Sequence, residues 1–452
     1  MMRQEIDAMS EKGRKIFEDC SDQIWSTPEL NFTEHKSCEA SKKVMEELGF
    51  KITWPLEDMD TAFIAEAGHG KPVIGLLGEI DALPGLSAKA DTVPFEPVTE
   101  GGNGHGCGHN LLGCGAMEAA WLIKNYLEEH HLEGTVKYFC CPAEEGGVGK
   151  YFMIERGAFD DVDFTVSWHP SSYFGISQSG KSIYIANFKF YGTAAHAAGD
   201  PYHGRSALDA LELMNVGVQF LREHVEEGTN IHYAITNSGG RAANVVQSYA
   251  EASYVVRALD NSKLRDVFRR VCLVATGAAT MTETRFDGPE IVSAFSSIVP
   301  NEVMSDVLRE NIKSILPVEY TPEELEYAKK FQAVGTKPDA EDVIDQRIVE
   351  NVPASTDVGD VSWVTPLVYL RCPTIANGTP GHSWQITAQG KGCVAKKGMH
   401  IAARLMANTC LDMVEKPELI EAAKADFKKK LAGRTYAKEC LMPKDRKPTP
   451  IY

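Results

Sequence analysis

Val73-Ile74-Gly75-Leu76-Leu77-Gly78-Glu79-Ile80, running into Asp81-Ala82-Leu83-Pro84-Gly85, decides the fold class of this chain. A continuous apolar run closed by a Pro-Gly turn suits a strand buried on both faces, as strands of parallel sheets are. Working outward, residues 111–129 read as a long helix with Leu112, Met117, Leu122 and Leu127 among its apolar positions. A strand at 135–141, a helix at 148–157 and a strand at 163–168 follow. Upstream, 36–48 is an amphipathic helix that Gly49 is placed to end. Alternating strands and helices imply an α/β fold with a mixed, mostly parallel sheet covered by helices on both faces.

The pattern changes near residue 182. A partly alternating strand carries Ile183, Tyr184, Ile185 and Phe188, and a strongly helical stretch covers 205–226. Strands near 230–236 and 248–258, a helix at 261–278 and a strand near 282–287 complete a βαββαβ order. This order predicts a ferredoxin-like α+β unit inserted into a discontinuous larger domain. The expected division is 1–181 and 294–452 for the larger domain, with 182–293 inserted. Apolar segments such as 393–413 complete the larger domain, and the tail from 428, with Lys428-Lys429-Lys430, Pro448 and Pro450, is expected to be a solvated helix end and arm.

The 452 residues exceed one ordinary core. A formal charge of -17, from 46 basic and 63 acidic residues, works against nucleic-acid binding. The first residues lack the apolar core of a secretory signal, and no later run approaches membrane-spanning length, so a cytoplasmic setting without membrane contact is expected. Eleven cysteines without framework spacing read as reduced thiols. Cys140 and Cys141, neighbours on a strand, should point to opposite faces.

The chemistry concentrates in His105-Gly106-Cys107-Gly108-His109-Asn110 and Cys141-Pro142-Ala143-Glu144-Glu145-Gly146-Gly147. A thiol and an imidazole two residues apart in a glycine-rich turn, then paired carboxylates after an apolar strand, are ingredients of a metal-dependent hydrolase. Each alone is an ordinary surface feature, and the later isolated His169 and His382 give the set its weight. The Asp81 turn, the glutamate pair and His169 each follow a predicted strand, the edge where open α/β sheets bind ligands. The glycines at 101–108 lack the Gly-Lys-Ser/Thr ending of a phosphate loop.

Asp81-Ala82-Leu83-Pro84, Cys107-Gly108-His109, Glu144-Glu145 and Trp168-His169-Pro170 resemble, in order, motifs of the dinuclear metallopeptidase family that includes aminoacylase, glutamate carboxypeptidase and the plant auxin-conjugate amidohydrolases. Ala194-Ala195-His196-Ala197-Ala198-Gly199, Gly204-Arg205-Ser206-Ala207-Leu208-Asp209-Ala210, Ser355-Thr356-Asp357-Val358-Gly359-Asp360-Val361-Ser362-Trp363 and Gly381-His382-Ser383-Trp384-Gln385 bring the resemblance nearer to its p-aminobenzoyl-glutamate branch, over roughly residues 10–415. Asn110, where the wider amidohydrolase group has aspartate, points away from a general auxin-conjugate or hippurate activity.

The resemblance implies two divalent metal ions, zinc or manganese, held by Cys107, His109, Glu145, His169 and His382, with the Cys107 thiolate bridging and the division of ligands between the ions open. It implies Glu144 as general base and later proton donor, and Asp81 as a partner that orients a ligand. In the inserted unit it singles out His196 for the oxyanion, sometimes across a dimer interface, and Asn244 and Arg257 for the substrate carboxylate, Arg257 having a strand-end salt bridge as its alternative. The inserted unit would act as a lid and dimerisation surface. His105 lies beside the site without being a family ligand, while His35, His69, His130, His131, His224, His232 and His400 carry no motif and read as surface or structural.

The expected reaction is hydrolysis of the amide of an N-acyl amino acid, p-aminobenzoyl-glutamate above all, by a homodimer or together with a related partner subunit. Another acyl-amino acid or a dipeptide is the alternative substrate. A cysteine-nucleophile amidase built on Cys107 would leave Glu144, Glu145, His169 and His382 without a role. A binding subunit with structural metals would not need an intact Glu144.

Overall fold

The computed structural model describes residues 3–350 and 355–451 and contains two sheets. The larger is built from β1 (Lys51–Thr53), β2 (Phe63–His69), β3 (Val73–Glu79), β4 (Gly134–Cys141), β5 (Phe164–Ser171), β6 (Phe174–Ile176), β12 (Ile348–Glu350) and β13 (Leu367–Pro373), in the order β1-β2-β4-β3-β5-β13-β6-β12. The smaller is formed by β7 (Ser182–Tyr191), β8 (Asn230–Asn237), β9 (Tyr249–Ala258), β10 (Arg285–Phe286) and β11 (Glu290–Phe295).

The centre of the large sheet is parallel, with β3 between β4 and β5, and β13 beside β5. Its margins are mixed, since β2 runs antiparallel to β4 and β6 antiparallel to β13. Every residue of β3, β4 and β13 is buried, which is why these strands read as near-continuous apolar runs rather than alternating ones. The two faces are covered unequally. Helices Gln4–Ser26, His109–Glu129 and Cys393–Glu415 pack one face, whereas the short helices Gly149–Glu155 and Val358–Val361 lie toward the other, in the same apolar core as the small sheet. Cys140 joins the first core and Cys141 the second, as their alternation requires.

The small sheet is antiparallel throughout, ordered β10-β7-β9-β8, with helices Ala207–Leu221 and Asn261–Thr282 between its strands. Two features depart from expectation. The strand near 282–287 shortens to two residues because the preceding helix extends to Thr282, and β11 adds a further pairing to β7. The junction expected at 293 falls inside β11.

The segment beyond the lysine run is a further departure. Tyr436, Leu441 and Met442 are buried, Tyr436 Oη donates to Asp360 Oδ1 at 3.1 Å, and the Ile451 amide donates to Asn31 Oδ1 at 3.3 Å. The apolar residues beyond the lysine run give this segment surface to bury, so it returns to the body of the protein instead of extending into water. No described helix is long and apolar enough to cross a membrane.

Candidate metal centre and active site

Parallel strands deliver the site residues to one edge of the large sheet. β3 ends at Glu79, directly opposite Cys141 at the end of β4, and His169 on β5 lies opposite Arg371 on β13. His169 thus belongs to its strand instead of following it, because β5 continues to Ser171. The loop before helix His109–Glu129 brings in the thiol. Gly108 caps that helix in the left-handed region at φ 80, and a Cβ there would meet Pro170 at 3.1 Å. A glycine is therefore needed between Cys107 and His109 for both side chains to join the same donor group.

Both central imidazoles are held by one nitrogen and offer the other. His109 Nδ1 donates to Asp81 Oδ1 at 2.9 Å, and His169 Nδ1 donates to the Pro170 carbonyl at 2.7 Å. His169 Nε2 then lies 3.2 Å from Cys107 Sγ. Asp81 also accepts from the Glu145 amide at 2.8 Å, so one buried carboxylate orients two neighbours. Glu145 Oε1 lies 3.5 Å from His382 Nε2. Ala143 and Val148, flanking the glutamate pair, and His382 itself all have positive φ. Such conformations cost of order 1–3 kcal/mol each and persist where the surroundings fix them, here partly through Glu34 Oε1, which accepts from the Ala143 amide at 2.8 Å.

The donor atoms fall into overlapping groups in which all lie within 4.8 Å of one another: Cys107, His109 and His169 in one, and Cys107, Glu145 and His382 in the next. Cys107 is common to both, the arrangement a bridging anion requires. Glu145 Oε1 and His109 Nε2 are buried without hydrogen-bond partners among the described residues, which fits donors waiting for cations. Thiolate, imidazole and carboxylate together suit zinc or manganese. A third group joins Glu79, His109 and Glu144, placing Glu144 beside the donors.

Electrostatics follow from burial. Burial pushes the Glu144 carboxyl well above the usual carboxylate range, helped by Glu79, Glu145 and Asp357. Burial also raises the Cys107 thiol, and Glu145 adds to this, so the thiolate needs cations to form here. Burial opposes the His109 charge, yet Cys107 and Asp81 carry it well above its ordinary value. Burial, then Arg371, lowers His169.

Beneath the cluster lies an ion triad that the sequence reading did not identify. Lys150 Nζ is 2.7 Å from Glu79 Oε1 and 2.5 Å from Asp357 Oδ1, all three side chains being fully buried. Asp357 Oδ2 also accepts from the Lys150 amide at 3.0 Å. A charged residue at the end of an otherwise apolar strand, Glu79, was the available signal.

A cavity of about 530 Å³ opens on the donors and is lined by Cys107, Glu144, Glu145, His169 and His382 from one side and Arg257 from the small sheet. Arg257 makes no salt bridge among the described residues, leaving its guanidinium to the cavity. His196 and Asn244 do not line it. Both are exposed at a turn of the small sheet, where the Ala197 amide donates to the Asn244 carbonyl at 3.0 Å. The Ala198 and Gly199 amides donate to His196 Nδ1 at 3.2 and 3.0 Å, which puts the ring proton on Nε2. His105 is structural: Nε2 donates to the Ile24 carbonyl at 3.1 Å, and burial lowers its pKa to about 4.

The sequence pattern of peptidase family M20/M25/M40 matches residues 75–357. The chain is 41% identical to a subunit of p-aminobenzoyl-glutamate hydrolase of Escherichia coli (strain K12), over 99% of this chain and 98% of that protein. It is 29% identical to a mouse Xaa-Arg dipeptidase, over 90% of this chain and 88% of the other. Among solved structures, a dinuclear metal-binding peptidase of the M20 family from Bacillus subtilis superposes with a TM-score of 0.61 at 19% identity, over 90% of this chain and 99% of that one. An aminobenzoyl-glutamate utilization protein from Klebsiella pneumoniae superposes with a TM-score of 0.62 at 18% identity, over 90% and 98%. With the shared-thiol donor set already in place, these likenesses identify the chain as a metal-dependent amidohydrolase of peptidase family M20/M25/M40.

Proposed function

We propose that this protein hydrolyses the amide bond of p-aminobenzoyl-glutamate, releasing p-aminobenzoate and glutamate. The observation that carries the reading is the pair of donor groups sharing Cys107, with Glu144 beside them, in a chain related end to end to part of a hydrolase of that name. Cys107, His109 and His169 would hold one divalent ion, and Cys107, Glu145 and His382 the other. Bound there, the ions lower the pKa of water and polarise the amide carbonyl. Glu144 takes the proton from the attacking water and returns it to the leaving nitrogen, a role suited to a carboxylate whose affinity for protons is raised by burial.

The segment 182–293 is proposed as a ferredoxin-like lid and dimerisation domain set into a larger domain formed by 1–181 and 294–452. Arg257 would hold the substrate carboxylate from above, aided by Asn244, and His196 would donate Nε2–H to the oxyanion. Their exposure away from the cavity favours delivery of His196 and Asn244 by a second copy of the chain. β8 is an edge strand with an almost fully exposed face, and Val216, Phe220, Tyr233 and Ile235 nearby are exposed apolar residues suited to a two-fold interface. Free thiols at all eleven cysteines suit a cytoplasmic setting.

The test is release of p-aminobenzoate by the purified protein, with metal content measured by mass spectrometry. Turnover that needs about two ions per chain, and is lost in Glu144→Ala with metal retained, is the expected result. Bound metal without turnover would transfer the activity to another acyl-amino acid or to a complex with a related partner.

A further inference from the structure

Arg371 is a buried cation that neither the metal donors nor Glu144 uses. Only 9% of it is exposed, and it sits on β13 directly opposite His169, lining the same cavity. Its Nε donates to Ser177 Oγ at 3.2 Å, which fixes the plane of the guanidinium. Its terminal nitrogens have no hydrogen-bond partner, and no carboxylate lies within 4.0 Å, among the described residues. Tyr369, two residues back on the same face, places its ring 5.7 Å from the guanidinium carbon and has a buried hydroxyl without a partner among the described residues. Glu144 and Glu145 also line the cavity, neither within 4.0 Å of the guanidinium, and each falls in a candidate donor group.

An unpaired buried guanidinium is costly, and its planar fork matches a carboxylate in bidentate geometry. Arg257 already presents one such group to the cavity from the small sheet. The large sheet presents a second, on a different wall. We infer that Arg371 binds a second carboxylate of the substrate, so that the cavity selects N-acyl derivatives of dicarboxylic amino acids over those of neutral ones. Arg371 is thereby a specificity residue that touches substrate, with the Tyr369 hydroxyl placed to add a hydrogen bond. This inference rests on the amidohydrolase reading above and names the feature of the substrate that the large sheet reads.

The experiment compares wild type, Arg371→Met and Arg371→Lys on p-aminobenzoyl-glutamate, its γ-amide p-aminobenzoyl-glutamine, and p-aminobenzoyl-alanine. Metal content and Tm are recorded for each protein. Wild type is expected to prefer the glutamate compound. Arg371→Met should raise KM for that compound roughly 10- to 100-fold, the range for a lost charge-assisted pair, while leaving kcat/KM for the glutamine and alanine compounds within about 3-fold. Arg371→Lys should recover part of the preference. An equal loss on all three substrates, or no change on any, would overturn the assignment while leaving the hydrolase reading intact. A Tm or metal content that falls together with all activities would assign Arg371 to the structure alone. Failure of wild type to cleave any of the three would instead overturn the functional reading, and the Arg371 assignment with it.

Discussion

On the large sheet, Cys107, His109, Glu145 and His169 meet at the ends of parallel strands, with ring nitrogens already committed to Asp81 and the Pro170 carbonyl. On the small sheet, His196 and Asn244 stand exposed at a turn, and His196 is oriented only by the two amides of its own loop. The first region is held in place by its own hydrogen bonds, whereas in the second the His196 Nε2 makes no hydrogen bond among the described residues. On the proposed reading, cation binding and proton transfer would both be carried by the large sheet. The oxyanion role proposed for His196 would require the small sheet to be presented by closure or by a second copy.

The largest effect should come from the organised region. Glu144→Gln is expected to lower kcat by about 10³-fold or more at unchanged metal content, read by p-aminobenzoate release. Lys150→Met should come next, because it leaves the Glu79 and Asp357 carboxylates buried without the lysine cation between them. A loss of about 3–5 kcal/mol in stability is expected from urea unfolding, and a loss below about 1 kcal/mol would show that water or protonation substitutes for the lysine.

His196→Ala should lower kcat by about 10²-fold with both metals retained and Tm unchanged. Mixing it with Glu144→Gln sharpens the contrast between the regions. If His196 serves the partner's site, mixed dimers regain activity in one of their two sites. If it serves its own, the mixture stays inactive.

The smallest effect concerns a buried ion cluster remote from both regions. His400 Nδ1 lies 2.6 Å from Glu118 and Nε2 3.3 Å from Glu18. Burial opposes its charge, but these hydrogen bonds raise its pKa to about 9. A raised folded-state pKa stabilises fully below the unfolded value near 6.5 and loses that contribution as pH rises through about 9. The stability difference between wild type and His400→Gln should therefore be greatest, roughly 2–3 kcal/mol, near pH 6 and shrink above pH 9. A difference independent of pH would contradict the ionic role.

What could be read from the sequence followed the same division. Val73–Glu79 and Gly134–Cys141 announce themselves because double burial leaves few polar positions, and the residues just beyond them are candidate site residues because strand ends converge. Lys150 and Arg371 stayed hidden for the opposite reason. Each lies in a short helix or strand and reads as a surface charge until the fold buries it, Lys150 against Glu79 and Asp357 and Arg371 in the cavity wall. The candidate ligands could be named by motif, but their grouping around Cys107 needed distances between residues as far apart as 107 and 382. In the tail the lysine run does end a helix, at Leu431, but the arm beyond it is not wholly solvated, because Tyr436, Leu441 and Met442 are buried.

The shared thiol is the centre of the account, and metal stoichiometry in single-ligand variants tests it most directly. Two ions per chain are expected in the wild type, with one lost in His169→Ala, the other lost in His382→Ala, and both weakened in Cys107→Ala. A wild type that binds one ion or none, or a Cys107→Ala protein that keeps two at wild-type affinity, would contradict it.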